Sequence, residues 1–269
     1  MSTTTVGTEP ANVTDPIYAG REPVRRARPA RLQFNLQSVP RGQAISGVAL
    51  FCRPCCTGCV QPRVFLLSPA DCGGRRATQV LAPDGRSALA IALRSPGGAP
   101  LGDVFSFVSG LYFRGKLTYA RRFARPVEPD NPVVGAGIHV ITANAGLRSP
   151  ETRVTCAAVR AFASGDIDAD NALYRRPLEA SARTLLTEIG PACDVVLLGS
   201  IASPKYVDVL TGIFGSRLQF PICFVGRGDM SRGGVLLRHA GDGVELDYVP
   251  VLGAVVHGAR PPKLTRWLG

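Results

Sequence analysis

The chain has 269 residues, 45% of them hydrophobic, enough for one large domain with a substantial core. Its uninterrupted apolar runs are far shorter than the roughly 18 residues a membrane span requires, so no transmembrane helix is expected. The formal net charge of +11 comes from 31 Lys and Arg, only three of them lysine, against 20 acids. Planar guanidinium forks suit an anionic partner, although a GC-rich codon bias also yields arginine excess.

Residues 1–60 read as a largely disordered extension rich in Pro, Arg, Thr and Gly, with one short element expected over Ala44–Phe51. The start lacks a basic region followed by an apolar one, so a cytoplasmic location is the default. The basic cluster REPVRRARPARL could touch nucleic acid, but it has no interleaved aromatics and reads better as a solvated tail. CRPCCTGC places Cys52, Cys55, Cys56 and Cys59 within eight residues. Structural zinc sites separate their two cysteine pairs by a dozen or more residues, so a Cys-rich linker is the preferred reading and no metal is predicted.

From residue 61 a single α/β domain is expected. RVFLLSP reads as a buried strand, and CGGRRATQVL and SALAIALR read as short helices. In the stretch DVFSFVSGLYFRGKLTYARRFA, Val104, Val108, Leu111, Tyr112, Leu117 and Ala120 recur at helical spacing with breaks near Gly110 and Gly115, predicting one broken helix or two. Its rings should face the core and its basic side chains the solvent, with nucleic-acid contact as the less favoured alternative. IHVITAN and CDVVLLGS are the next strands, separated by helices over CAAVRAFA and ALYRRPLEASARTLLTEIG. A helix from Ser203, the strand LQFPICFVG, a short helix SRGGVLLRHA and a final strand VELDYVPVL complete the order. Such alternation predicts a three-layer sandwich around a mostly parallel sheet.

Ligands of such sheets bind beyond the carboxyl ends of the strands. Four segments fall there: LLSPAD, ITANAGLRSP, LLGSIASPK and FVGRGDMSRGG. Ser68, Asn144 and Ser200 supply neutral hydrogen-bonding groups, and Arg148, Lys205, Arg227 and Arg232 supply positive charge. The glycines of the last segment would let backbone amides approach an anion, beside a helix expected to start at Ser231. Asp71 and Asp229 stand where a general acid or base would be placed. Each is also an ordinary turn or cap residue. The chain has neither a Walker loop nor a dinucleotide fingerprint, and no GxSxG or HExxH, so no cofactor is called for. His139 lies within a strand and reads as a buried, satisfied residue. Glu245 and Asp247 share one face of a strand, which suits an exposed edge.

LLSPAD, ANAGLRSPETR and LLGSIASPKYVDVL together resemble the YaaA-like peroxide-stress family and related bacterial α/β domains. The likeness spans about residues 63–225. The chain departs from the family at Asp71, where YaaA-like sequences have lysine after Ser-Pro-Ala. The resemblance implies an α/β domain linked to nucleic-acid or nucleobase biology, similar in outline to uracil-glycosylase-like domains, and implies no catalytic residues. Together these readings lead us to expect a protein that binds an anionic nucleotide-like or nucleic-acid ligand at the carboxyl edge of its sheet; if it is an enzyme, the expected class is a nucleobase- or nucleotide-processing hydrolase or transferase. A noncatalytic nucleic-acid-binding or stress-response module, and a partner-binding protein without a ligand, are the alternatives.

Overall fold

A computed structural model describes residues 61–202, 204–262 and 264. The element expected over Ala44–Phe51, the cysteines of CRPCCTGC and the helix cap expected at Ser203 lie outside these residues. The central sheet has six strands in the order β4-β3-β1-β6-β7-β8. They are β1 (Arg63–Leu67), β3 (Ile138–Ile141), β4 (Leu147–Arg148), β6 (Asp194–Leu198), β7 (Leu218–Pro221) and β8 (Tyr248–Pro250). β3, β1, β6 and β7 run parallel, and the edge strands β4 and β8 are antiparallel to their neighbours. A two-stranded ribbon, β2 (Ala99–Pro100) with β5 (Arg153–Val154), stands apart from this sheet.

The parallel strands are apolar on both faces because helices cover both. Alternation along β1 sends Phe65 and Leu67 to one core and Val64 and Leu66 to the other. α6 (Ala172–Glu188) and α7 (Pro204–Phe214) cover the second core with Tyr174, Leu178, Leu210 and Phe214. The first core takes α1 (Arg75–Leu81), α2 (Ala88–Arg94), α3 (Leu101–Ser109), α4 (Leu111–Phe123), α5 (Cys156–Ser164) and α8 (Asp229–Asp242). The domain is therefore the expected three-layer sandwich with a mostly parallel sheet. No helix among the described residues is long and apolar enough to cross a membrane.

Of the two forms expected for residues 103–124, one broken helix or two, the stretch takes the second and divides into α3 and α4 at Gly110, whose φ of +66° a helix cannot continue through. Three local expectations change. Gly115, by contrast, lies inside α4. The strand expected over LQFPICFVG stops at Pro221, where the chain turns through a 3-10 segment, Ile222–Phe224. Glu245 is not on an exposed edge. It forms ion pairs with Arg63 and, at 3.0 Å, with Arg125, and it accepts a hydrogen bond from the Tyr248 hydroxyl.

α4 and α8 cross at unusually close range, and glycines make this possible. A Cβ on Gly115 would sit 2.7 Å from the Gly233 carbonyl oxygen, and one on Gly233 would sit 2.9 Å from the Leu111 carbonyl oxygen and Tyr112 Cα. These are backbone atoms, which cannot swing aside. In an ordinary helix interior Gly→Ala stabilises by about 1 kcal/mol, and Gly212 of α7, with nothing near its missing Cβ, is such a site. Gly212→Ala should therefore raise the melting temperature, whereas Gly115→Ala and Gly233→Ala should each destabilise by about 1–3 kcal/mol through overpacking. Thermal and urea unfolding of the three variants checks the opposite signs.

Candidate functional site at the carboxyl edge of the sheet

From β1 the chain proceeds to β3 on one side, and from β3 it returns to β6 on the other. The sheet's topological switch point therefore lies between the carboxyl ends of β1 and β6, where open α/β sheets bind ligands. Ser68 immediately follows β1, and Gly199 and Ser200 follow β6. Ser68 N–H donates to the Leu198 carbonyl at 3.2 Å, so the two strand ends remain zipped up to this point. A Cβ on Gly199 would lie 2.9 Å from both Ser68 Cβ and the Tyr206 hydroxyl, so a side chain there would force the two strand ends and α7 apart.

Lys116 of α4 closes over this junction. It is 1% exposed, and its Nζ donates to the Ser68 carbonyl at 2.6 Å and to Ser68 Oγ at 2.8 Å. The ammonium also sits 4.5 Å from the centre of the Tyr112 ring and 4.8 Å from that of Phe113. Among the described residues no carboxylate forms an ion pair with it. Burial makes its charged form costly and brings its pKa down from 10.5 to about 7, against a smaller opposing pull from Asp229. The amine is thus poised to gain or lose its proton near neutrality.

α7 and α8 complete the surroundings. Tyr206 donates from its hydroxyl to the Ser200 carbonyl at 2.9 Å. Burial raises its pKa, while the Ser68 hydroxyl beside it works in the other direction. Tyr112, which is 7% exposed, has a buried hydroxyl with no hydrogen-bond partner of good geometry, although the positive charge of Arg232 acts on it. α8 begins at Asp229 after Gly228 and has no side-chain cap, so its first amides are open to an acceptor.

The residues singled out in the sequence fall into three groups. Ser68 and Ser200 meet at the switch point. Arg227, Asp229, Ser231 and Arg232 gather at the start of α8, where the two arginines are partly engaged by the protein itself. Arg232 donates to the Phe224 carbonyl at 3.2 and 3.3 Å and pairs with Asp229 at 3.3 Å, and Arg227 donates to the Cys223 carbonyl and to Ser231 Oγ. The remaining four residues stand apart from this centre. Asp71 accepts from the Gly73 amide at 2.8 Å in a local turn, and Lys205 points to solvent from the first turn of α7. Asn144 donates to the Ala161 carbonyl at 3.0 Å, and Arg148 belongs to β4, the far edge strand.

Lys116, Tyr112 and Tyr206 carry the centre and were not singled out. Arg114, Arg121 and Arg122 are exposed as expected of α4, but Lys116 is not. The usable signal was its position within the apolar stripe of that helix, four residues after Tyr112 and four before Ala120. A lysine there is either desolvated or at the domain surface, and periodicity alone does not decide which.

The displaced pKa gives a signed expectation. The unfolded chain keeps the ordinary lysine value of 10.5 and the folded one about 7, so between these pH values the unfolded state binds more protons. Stability must then rise with pH across that interval. Lys116→Met removes the titration at similar volume. The stability of the parent minus that of Lys116→Met should increase from pH 7 to pH 10.5 in chemical denaturation, and a flat difference would show a solvated lysine.

No family model, no curated protein and no solved structure matches the chain.

Proposed function

We propose that the protein is a hydrolase or transferase for an anionic nucleotide-like ligand, bound at the carboxyl edge between the β1 and β6 ends and the start of α8. The observation that carries this reading is the buried Lys116 held on Ser68 Oγ, with an amine that can be neutral at physiological pH. A neutral amine hydrogen-bonded to a serine hydroxyl is the arrangement by which lysine replaces histidine as the base of a serine nucleophile. Lys116 takes the hydroxyl proton as Ser68 Oγ bonds to the ligand's phosphorus and returns it to the oxygen whose bond to phosphorus breaks. Water or an acceptor hydroxyl, deprotonated in turn by Lys116, then displaces Ser68 Oγ, which takes the proton back. The open amides of α8 and the unused N–H donors of Arg227 face the ligand's negative charge. Tyr112 supplies a further hydroxyl, beside Arg232, that has no protein partner of good geometry. Asp229 serves as the electrostatic partner that tunes Lys116.

A panel of nucleoside mono- and triphosphates, free nucleobases and short DNA, followed by thermal shift and by chromatography of products, tests the reading. Nucleoside phosphates should raise the melting temperature, and turnover should climb as the pH passes through about 7, where Lys116 loses its proton. Lys116→Met and Ser68→Ala should each lower kcat by about 100-fold or more while the ligand-induced thermal shift persists. Turnover that survives Lys116→Met intact would remove Lys116 from the chemistry. Affinity that depends steeply on salt and requires residues 1–60, with no turnover, would favour a noncatalytic nucleic-acid-binding module instead.

A further inference from the structure

A concavity lies at the β4 side of the sheet. β4 pairs only Val140 and Ile141 of β3, so Ile138 and His139 have no strand neighbour on that side among the described residues. The turn before β3, the end of β4 and the flank of α6 close around this gap and leave a cavity of about 430 Å³. That volume lies within the range of small-molecule pockets. Val134, Leu147 and Leu185 form its apolar wall, and His139, Arg148 and Ser149 bring polar groups to it.

Two of these groups lack a protein partner. His139 is 6% exposed, and its Nε2 is buried without a hydrogen bond. Buried ring nitrogens are ordinarily paired, because leaving one unpaired costs about 1–3 kcal/mol. Burial also depresses the imidazole pKa to about 4, so the ring is neutral at physiological pH and offers one donor or one acceptor according to tautomer. Arg148 is exposed at the mouth and makes no ion pair or side-chain hydrogen bond with any described residue. Ser149 Oγ accepts from the Glu151 amide at 3.2 Å, which leaves its own O–H to donate.

We propose that this cavity is a second ligand site, distinct from the carboxyl edge, for a small apolar carboxylate with a hydroxyl at the far end. The body lies against the apolar wall. The carboxylate meets the planar fork of Arg148 and the hydroxyl of Ser149 at the mouth. The His139 ring, which lines the cavity with Nε2 sealed from solvent in the free protein, turns to present that nitrogen to the distal hydroxyl, and because a hydroxyl both donates and accepts, it satisfies either tautomer. A ligand of this class supplies the partner that the protein itself withholds from His139. The site does not depend on Lys116 or Ser68, so it stands or falls separately from the catalytic reading.

The chain has three histidines, so the imidazole signals of uniformly ¹⁵N-labelled, full-length protein are few enough to follow individually. His139 is assigned by its loss in His139→Gln, or by its failure to protonate above pH 5 if that variant does not fold. The probe is 4-hydroxybenzoate, titrated to about 10 mM, a range that captures weak affinities near 1 mM. The His139 signals should shift and saturate while those of His239 and His257 stay in place. Arg148→Ala, a change at an exposed position, should weaken binding about tenfold or more by removing the charge-assisted contact. Benzoate, which cannot reach His139 with a hydroxyl, and 4-hydroxybenzamide, which has no charge for Arg148, should each bind more weakly than the probe. An unmoved His139 signal at the highest concentration overturns the proposal, and so does a shift that Arg148→Ala leaves unchanged.

Discussion

The close crossing of α4 and α8 is the constraint on which the carboxyl edge depends. Two helices ordinarily pack with their axes 8–10 Å apart, held off by side chains. Gly115 and Gly233 bring backbone against backbone, because a single added Cβ on either would meet main-chain atoms at under 3 Å. This approach carries the start of α8, with Asp229 and Arg232, to the same place as Tyr112 and Lys116 of α4. Glycines that looked suited to cradling an anion thus divide in function: Gly233 serves packing, whereas Gly228 leaves the head of α8 uncapped. The anion site proposed for this loop therefore rests on the helix terminus and on Arg227, not on glycine content.

That packing also encloses Lys116. An ammonium removed from water requires compensation, which an ion pair usually provides. Lys116 instead has a carbonyl, a hydroxyl and two aromatic faces. Each stabilises the cation less than a touching carboxylate would, so the charged and neutral forms become comparable near neutral pH. A displaced pKa in a group hydrogen-bonded to a serine hydroxyl, at the sheet's switch point, is the combination on which the proposed function rests.

The layered architecture was legible because its determinants are local. Continuous apolar strands such as VVLL and amphipathic segments between them imply a covered parallel sheet without any knowledge of contacts. The strand ends were legible for the same reason, and they correctly included Ser68 and Ser200. What could not be read was strand order. IHVITAN and CDVVLLGS lie on opposite sides of β1, so the Asn144–Arg148 loop belongs to one half of the sheet and α8 to the other. Loops of equal chemical character therefore serve two different places. Nor does helical periodicity reveal a lysine buried by a neighbouring helix, because α8 arrives from more than a hundred residues further along the chain.

The fate of a second cation shows why Lys116, rather than any buried charge, is the informative one. Arg63 lies at the opposite, amino end of β1 and is also largely withdrawn from solvent. It pairs with Glu245 and, at 3.7 Å, with Asp194, and its guanidinium stacks 4.7 Å over the Tyr248 ring. Tyr248 in turn meets the Tyr119 hydroxyl at 2.6 Å, and Tyr119 accepts from the Leu246 amide at 2.7 Å. Opposite charges flank this arginine, and the network ties β8 to β1, as a structural charge requires. The same strand therefore ends in two buried cations of opposite design. At its amino end the protein supplies carboxylates to the cation, and at its carboxyl end the described residues supply none in contact, where burial lowers the pKa of Lys116. Only the second arrangement leaves a cation with no carboxylate in contact, and it stands at the switch point of the sheet.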